Sequence, residues 1–179
     1  MRELKGGEIV LRGARPEDAA AMHALAERSG ALEVNSAYCY LLLADHFRAT
    51  SVVAERHDPA GRGDVVGMVV GYRPPTRSDA IFVWQVGVDP AMRGRGLARA
   101  MLHAFAATPG AAGARFLEAT VTPDNAASRA LFHAFARDRA AEIHEEDGYP
   151  AALFPGGHEP ERLLRIGPLS STSREETSS

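Results

Sequence analysis

"IFVWQVGVDPAMRGRGLARAMLHAFAAT", residues 81–108, joins an apolar run rich in β-branched and aromatic residues to a basic glycine turn and then to apolar residues at helical spacing. A strand that feeds such a turn at a helix N-terminus suggests an anion site, the alternative being a turn that serves structure alone. Backbone N–H groups converge there, and the helix dipole favours negative charge. The turn itself, "RGRGLA" at 93–98, has two arginines and no acidic side chain. It is not a Walker loop, which needs Gly-x-x-x-x-Gly-Lys-Ser/Thr. Nor is it a dinucleotide fingerprint, which would need glycine or alanine where Arg99 stands and normally opens the first strand of a parallel unit.

Working outward, "VVGMVVGYRP" (65–74) and "TSVVAER" (50–56) read as strands separated by Pro/Gly turns, so that with 80–88 they form an antiparallel meander. Downstream come a helix from Leu97 to about Ala107, the strand "RFLEATVT" (115–122) and a helix opening in "PDNAASRALFHAFARD" (123–138). Strand, helix, strand is a crossover, which puts a parallel pair in mid-sheet. Upstream, "EIVLRGARPEDAAAMHALAERSG" (8–30) reads as a strand and a helix with Pro and acids in its first turn, stopped by Gly30. "NSAYCYLLLADHF" (35–47) fits a buried strand or, preferably, a short helix with an Asn-Ser cap. Past Ala140 one strand is expected near residues 162–166, between Gly/Pro-rich loops suited to lining a site. The expected architecture is a mixed α/β sheet in a single domain over 1–169, with "SSTSREETSS" (170–179) a disordered tail.

The 179 residues suffice for one sizeable core, and 45% hydrophobic with 24% charged residues is ordinary for a soluble domain. A net charge of -3 offers no basis for a nucleic-acid or anionic-membrane partner, so the positive site is local. The lone Cys39 excludes an internal disulfide and a thiolate-rich zinc site; no metal is demanded. No apolar run approaches a membrane span and the first residues lack a signal-peptide core, so a cytoplasmic protein is expected.

The order of elements, with Val-Asp-Pro before Arg-Gly-Arg-Gly-Leu-Ala and an Asn-led helix following, resembles the GCN5-related N-acetyltransferase (GNAT) superfamily. Its flanks, "NSAYCYLLLADHF", "IFVWQVGVDP", "RFLEATVTPDNAASRALF", "LFPGGHEPE" and "RIGPL", are similar to the L-2,4-diaminobutyrate acetyltransferases of ectoine biosynthesis from about Leu11 to Leu169. The resemblance implies an α+β GNAT fold, a mostly antiparallel sheet splayed in the middle with helices on both faces. It implies transfer of acetyl from acetyl-CoA to the γ-amine of L-2,4-diaminobutyrate, and a homodimer. Arg93, Gly94, Arg95, Gly96, Leu97 and Ala98 would cradle the CoA pyrophosphate, and Val86 and Val88 would pair with the pantetheine arm. Asn125 and Arg129 would meet the CoA arm or phosphates, with Asn125 as a plain helix cap the alternative.

An amine attacking a thioester needs to be neutral, needs a donor for the developing oxyanion, and needs a thiolate that can leave. A backbone N–H near Val86, at a bulge where the sheet splays, is the expected donor. Gly87 fits that irregularity or equally a packed neighbour. The tyrosine that many superfamily members use as acid is replaced by Phe132, seven residues beyond Asn125. With a thiol pKa near ~8.5, CoA leaves tolerably without strong acid assistance. Glu118, in an apolar strand, and Glu33, where the family usually has aspartate, are candidates for handling the substrate amine; an arginine-paired structural Glu118 is the alternative. Trp84 is expected as a substrate wall on the strand face of Val86. Of Tyr38 and Tyr40, which diverge on a helix, one is expected at the site and Tyr38 is chosen. His158, after two glycines, would hold the substrate carboxylate or relay a proton. Competing readings are another small-amine or amino-acid acetyltransferase, a protein N-terminal acetyltransferase, a cysteine acyl carrier at Cys39 and a non-catalytic acyl-CoA sensor.

Overall fold

The computed structural model, described for residues 2–4 and 7–169, runs β1 (Arg2–Leu4), β2 (Gly7–Gly13), α1 (Ala19–Ser29), α2 (Ala37–Asp45), β3 (Ser51–His57), β4 (Gly63–Tyr72), β5 (Ala80–Val88), α3 (Leu97–Ala106), β6 (Phe116–Val121), α4 (Ala126–Asp138), β7 (Glu142–Tyr149) and β8 (Glu161–Gly167). One eight-stranded sheet takes the order β1-β2-β3-β4-β5-β6-β8-β7. Neighbouring strands are antiparallel except β5 and β6, the parallel pair that the crossover through α3 demands. The expected disordered tail at 170–179 lies outside the described residues.

Local chemistry sets the helix ends. Pro16 opens a single 3-10 turn before α1, where the Asp18 carboxylate accepts from the Arg15 backbone N–H at 2.8 Å. Gly30 closes α1 at φ 61, a conformation that needs glycine. The Ser36 hydroxyl accepts from the Cys39 backbone N–H and caps α2, which decides for a helix in the 35–47 run.

Strand alternation divides the core into two layers. Val52, Val69, Ile81, Leu117 and Ala119 pack with Leu97, Met101, Leu102 and Phe105 of α3 and Phe132 and Phe135 of α4. Val53, Met68 and Val70 pack on the other face with Met22 and Leu25 of α1 and Tyr40 and Leu43 of α2.

Two irregularities shape the middle of the sheet. Val70 pairs with Gln85 but the next residue, Gly71, pairs with Val83, so Trp84 is an extra residue bulged out of β5. Pairing of β5 with β6 runs only from Ala80↔Phe116 to Val83↔Ala119, so β5 loses its β6 neighbour from Trp84 onward. The strands fork there. The expected bulge near Val86 thus sits two residues earlier, and it breaks the two-residue alternation that would put Trp84 on the face of Val86.

Sequence periodicity misses β7. "EIHEEDGY" is polar on both faces because β7 is the outermost strand and most of it is exposed to solvent, so it carries no apolar alternation.

Candidate active site

Directly beyond the fork lies the glycine turn. Gly94 and Gly96 have φ 73 and 75, and an added Cβ at either would meet nothing within 4 Å. Gly96 is the N-cap of α3 and offers no side-chain cap, so the first N–H groups of that helix face outward. The shape fits a pyrophosphate: open space, uncapped donors and a positive helix end. Of the arginines expected there, the Arg93 guanidinium is tied back to the Ser29 carbonyl at 2.5 Å, which leaves its backbone to line the turn. Leu97 is buried in the core beneath the cradle while Ala98 follows at its rim.

On the same side Asn125 caps α4 by accepting from the Ser128 N–H at 3.0 Å, so its carbonyl oxygen is used as a cap. Arg129 donates to Glu145 on β7 at 2.6 Å, and its Nη1 is buried with no hydrogen-bond partner among the described residues. Phe132 is 3% exposed, an apolar ring in the core. At Gly87 a Cβ would come within 2.9 Å of Leu32, which supports the packed-neighbour reading of that glycine.

The opposite face of the fork carries the polar groups. Glu118 is fully buried, and such a carboxylate must be paired. Its Oε1 accepts from Arg165 Nη1, and Arg165 Nη2 also donates to Asp79 at 3.0 Å while its guanidinium lies 3.8 Å over the Phe116 ring. Arg77 Nη2 stands 3.2 Å from Glu118 Oε2 but off the line of a hydrogen bond, and among the described residues that oxygen has no hydrogen-bond partner. Burial raises the nearby Tyr72 hydroxyl above its ordinary pKa; Tyr149 adds to the shift and Arg77 opposes it. Arg77 and Arg165, with Asp79 behind Arg165, escape sequence reasoning because only the register of three strands and one loop brings them to Glu118.

A second chain of contacts fixes the loop before α2. The Tyr40 hydroxyl donates to Gln85 Oε1 at 3.2 Å, and Gln85 Nε2 donates to the Glu33 carbonyl at 2.9 Å. Tyr40 is therefore core, and Gln85, next to the bulge, holds the Glu33 backbone against β5. The Glu33 carboxylate and Tyr38, 67% exposed, face solvent on that loop and helix. Trp84, at the bulge, is 39% exposed. His158 stacks on Phe154 at 4.3 Å, and Phe154 in turn meets Tyr149, so the loop after β7 is packed onto the end of that strand. His158 Nε2 lies 3.8 Å from Glu161. Burial pushes the Cys39 thiol up, away from a nucleophile's range. Among the described residues no His/Cys/Asp/Glu group has the arrangement of a metal site.

Comparison with known proteins adds the following. The model of the acetyltransferase (GNAT) family matches residues 19–136. The chain is 45% identical to the L-2,4-diaminobutyric acid acetyltransferase of Bordetella parapertussis, over 89% of this chain and 84% of that protein. It is 40% identical to that of Nocardia farcinica, over 94% and 84%. Among solved structures, diaminobutyrate acetyltransferase EctA from Paenibacillus lautus, in complex with its substrate L-2,4-diaminobutyric acid and coenzyme A, matches with a TM-score of 0.85 at 39% identity, over 92% of this chain and 98% of that one. A chain of the NatC complex bound to Gag peptide and CoA shares the fold, with a TM-score of 0.71 at 15% identity over 91% of this chain and 99% of that one.

Proposed function

We propose that this chain, which belongs to the acetyltransferase (GNAT) family and within it to the diaminobutyrate acetyltransferases, transfers acetyl from acetyl-CoA to the γ-amine of L-2,4-diaminobutyrate. The product is N4-acetyl-L-2,4-diaminobutyrate, a step of ectoine biosynthesis. The observation that carries this reading is the fork at Trp84, with an uncapped glycine cradle on one side and, on the other, a buried carboxylate whose Oε2 has an ion pair with Arg77 but no hydrogen-bond partner among the described residues.

Acetyl-CoA enters by the cradle. The backbone from Arg93 to Ala98 holds the pyrophosphate, Asn125 and Arg129 flank the arm, and Val86 and Val88 pair with pantetheine where β5 has lost its β6 neighbour. Diaminobutyrate enters from the opposite face, between Trp84, Tyr38 and Glu33 on one side and His158 on the other, with Glu118 taking an ammonium group. The neutral γ-amine attacks the thioester carbon directly. A backbone N–H near Val86 stabilises the oxyanion, and collapse expels the CoA thiolate, which picks up its proton from water because Phe132 has none to give. The proton of the amine leaves through water to Glu33 or His158 at the open mouth. A homodimer in the cytoplasm completes the reading; exposed Tyr149 and Leu153, at 50% and 68%, lie on an edge available to a second copy.

The test is product identification by NMR with acetyl-CoA and L-2,4-diaminobutyrate, beside ornithine, lysine and a peptide amine. Acetylation at N4 with strong preference for diaminobutyrate is expected. Binding of CoA without turnover of any amine would overturn the reading in favour of an acyl-CoA sensor.

A further inference from the structure

Resting on that reading, we propose that Arg77 and Glu118 form one seat for the α-amino-acid head of the acceptor. Glu118 Oε2 receives the α-ammonium, Arg77 grips the α-carboxylate, and only the γ-amine reaches the fork.

The cations around Glu118 differ in what they have left to offer. Arg165 is spent on Glu118 and Asp79 and is stacked on Phe116. Arg73 is spent on the carbonyls of Ser78, Gly110 and Ala112. Among the described residues the Arg77 side chain makes one ion pair, with Glu118 Oε2, and is 42% exposed. A guanidinium has five N–H donors in a planar fork that suits a carboxylate, so one ion pair leaves most of its capacity for a ligand. It is also held in place: the Arg77 N–H donates to the Pro74 carbonyl and its carbonyl accepts from the Ala80 N–H, both at 3.1 Å, while Arg73 anchors the loop from below. An acceptor oxygen beside a spare guanidinium is the complement of an α-amino acid, which carries an ammonium and a carboxylate on one carbon.

Strand register sets the orientation. Glu118 pairs with Phe82, inside the joined part of β5 and β6, whereas Val86 lies four residues further along β5, past the bulge. At about 3.3 Å per residue the two levels are roughly 10–13 Å apart. Diaminobutyrate spans roughly 4–5 Å between its two nitrogens, and hydrogen-bond and attack distances of about 3 Å at each end fill the remainder. Had Glu118 bound the γ-amine, that nitrogen would lie short of the oxyanion donor. Seating the head at Glu118 and Arg77 places the γ-amine at the fork and keeps the α-amine away from it, which accounts for the regiochemistry.

The test uses the intact enzyme, acetyl-CoA and three probes: L-2,4-diaminobutyrate, 1,3-diaminopropane, which lacks the carboxylate, and L-2-aminobutyrate, which lacks the γ-amine. In the unaltered enzyme L-2-aminobutyrate is expected to compete with diaminobutyrate. Arg77→Gln is expected to raise KM for diaminobutyrate roughly 10- to 100-fold with kcat little changed, and to abolish that competition. Binding or turnover of 1,3-diaminopropane should stay within about twofold, and Arg77→Lys should recover part of the lost affinity. An unchanged KM, or a parallel fall for both diamines, would overturn the proposal and leave Arg77 as a support for Glu118. Failure of the unaltered enzyme to acetylate diaminobutyrate would instead remove the functional reading on which the proposal rests.

Discussion

Phe132 stands where many relatives in the superfamily carry an acidic hydroxyl, and here it is an apolar ring packed with Phe105 and Phe135 in the α3/α4 layer. Phe132→Tyr would place a hydroxyl in that layer without a partner, at a cost of about 1–3 kcal/mol. The expected outcome is a lower denaturation midpoint and no gain in turnover, since a CoA thiolate leaves without strong acid help; a rise in kcat would show that an acid had been missing. Glu118 and Arg77 illustrate the other residue-scale rule, that a buried charge is kept only with partners. The apolar setting of Glu118 is legible in "FLEATV", but its partners at 77 and 165, and Asp79 behind Arg165, are not, because no local pattern links residues so far apart in the chain.

At the scale of elements, the turn between β5 and α3 joins sequence to function most directly. Gly96 at φ 75 sits in a left-handed conformation that costs a residue with a Cβ about 1–2 kcal/mol. The methyl of Gly96→Ala would also enter the cradle's open space. The variant should lose about that much stability and show a KM for acetyl-CoA raised roughly tenfold, with KM for diaminobutyrate unchanged. A rise in the amine KM alone would place the CoA phosphates elsewhere. Glycines, caps and periodicity made this element readable from the chain, as they did α1, α2 and α4. The β7 strand was not readable: its pairing with β8 needs only backbone groups, and its solvent-exposed side chains leave no apolar signature.

At the scale of the molecule, the sheet is tied to α1 by Arg12, which bridges the Asp18 carboxylate at 2.6 and 2.8 Å and Glu55 on β3 at 2.8 Å. Burial pushes Asp18 upward in pKa, but hydrogen bonds from Arg12 and the Arg15 N–H outweigh it and hold the group below its ordinary value. A carboxylate depressed in the folded state contributes stability that is complete above its unfolded pKa of about 3.9 and is lost as pH falls through the lower folded value. Asp18→Asn should therefore cost about 2 kcal/mol at neutral pH. In urea denaturation, the gap to the unaltered protein should narrow below about pH 4; a gap that stays constant there would mean the charge is not what Asp18 contributes. By itself the sequence determined the helices, the meander, the crossover and the glycine turn before α3, because capping, periodicity and glycine chemistry act within a few residues of chain. Only the tertiary structure decided where β5 forks, which way Trp84 departs from the alternation and which cations surround Glu118, because each depends on the register of strands brought together from across the sequence.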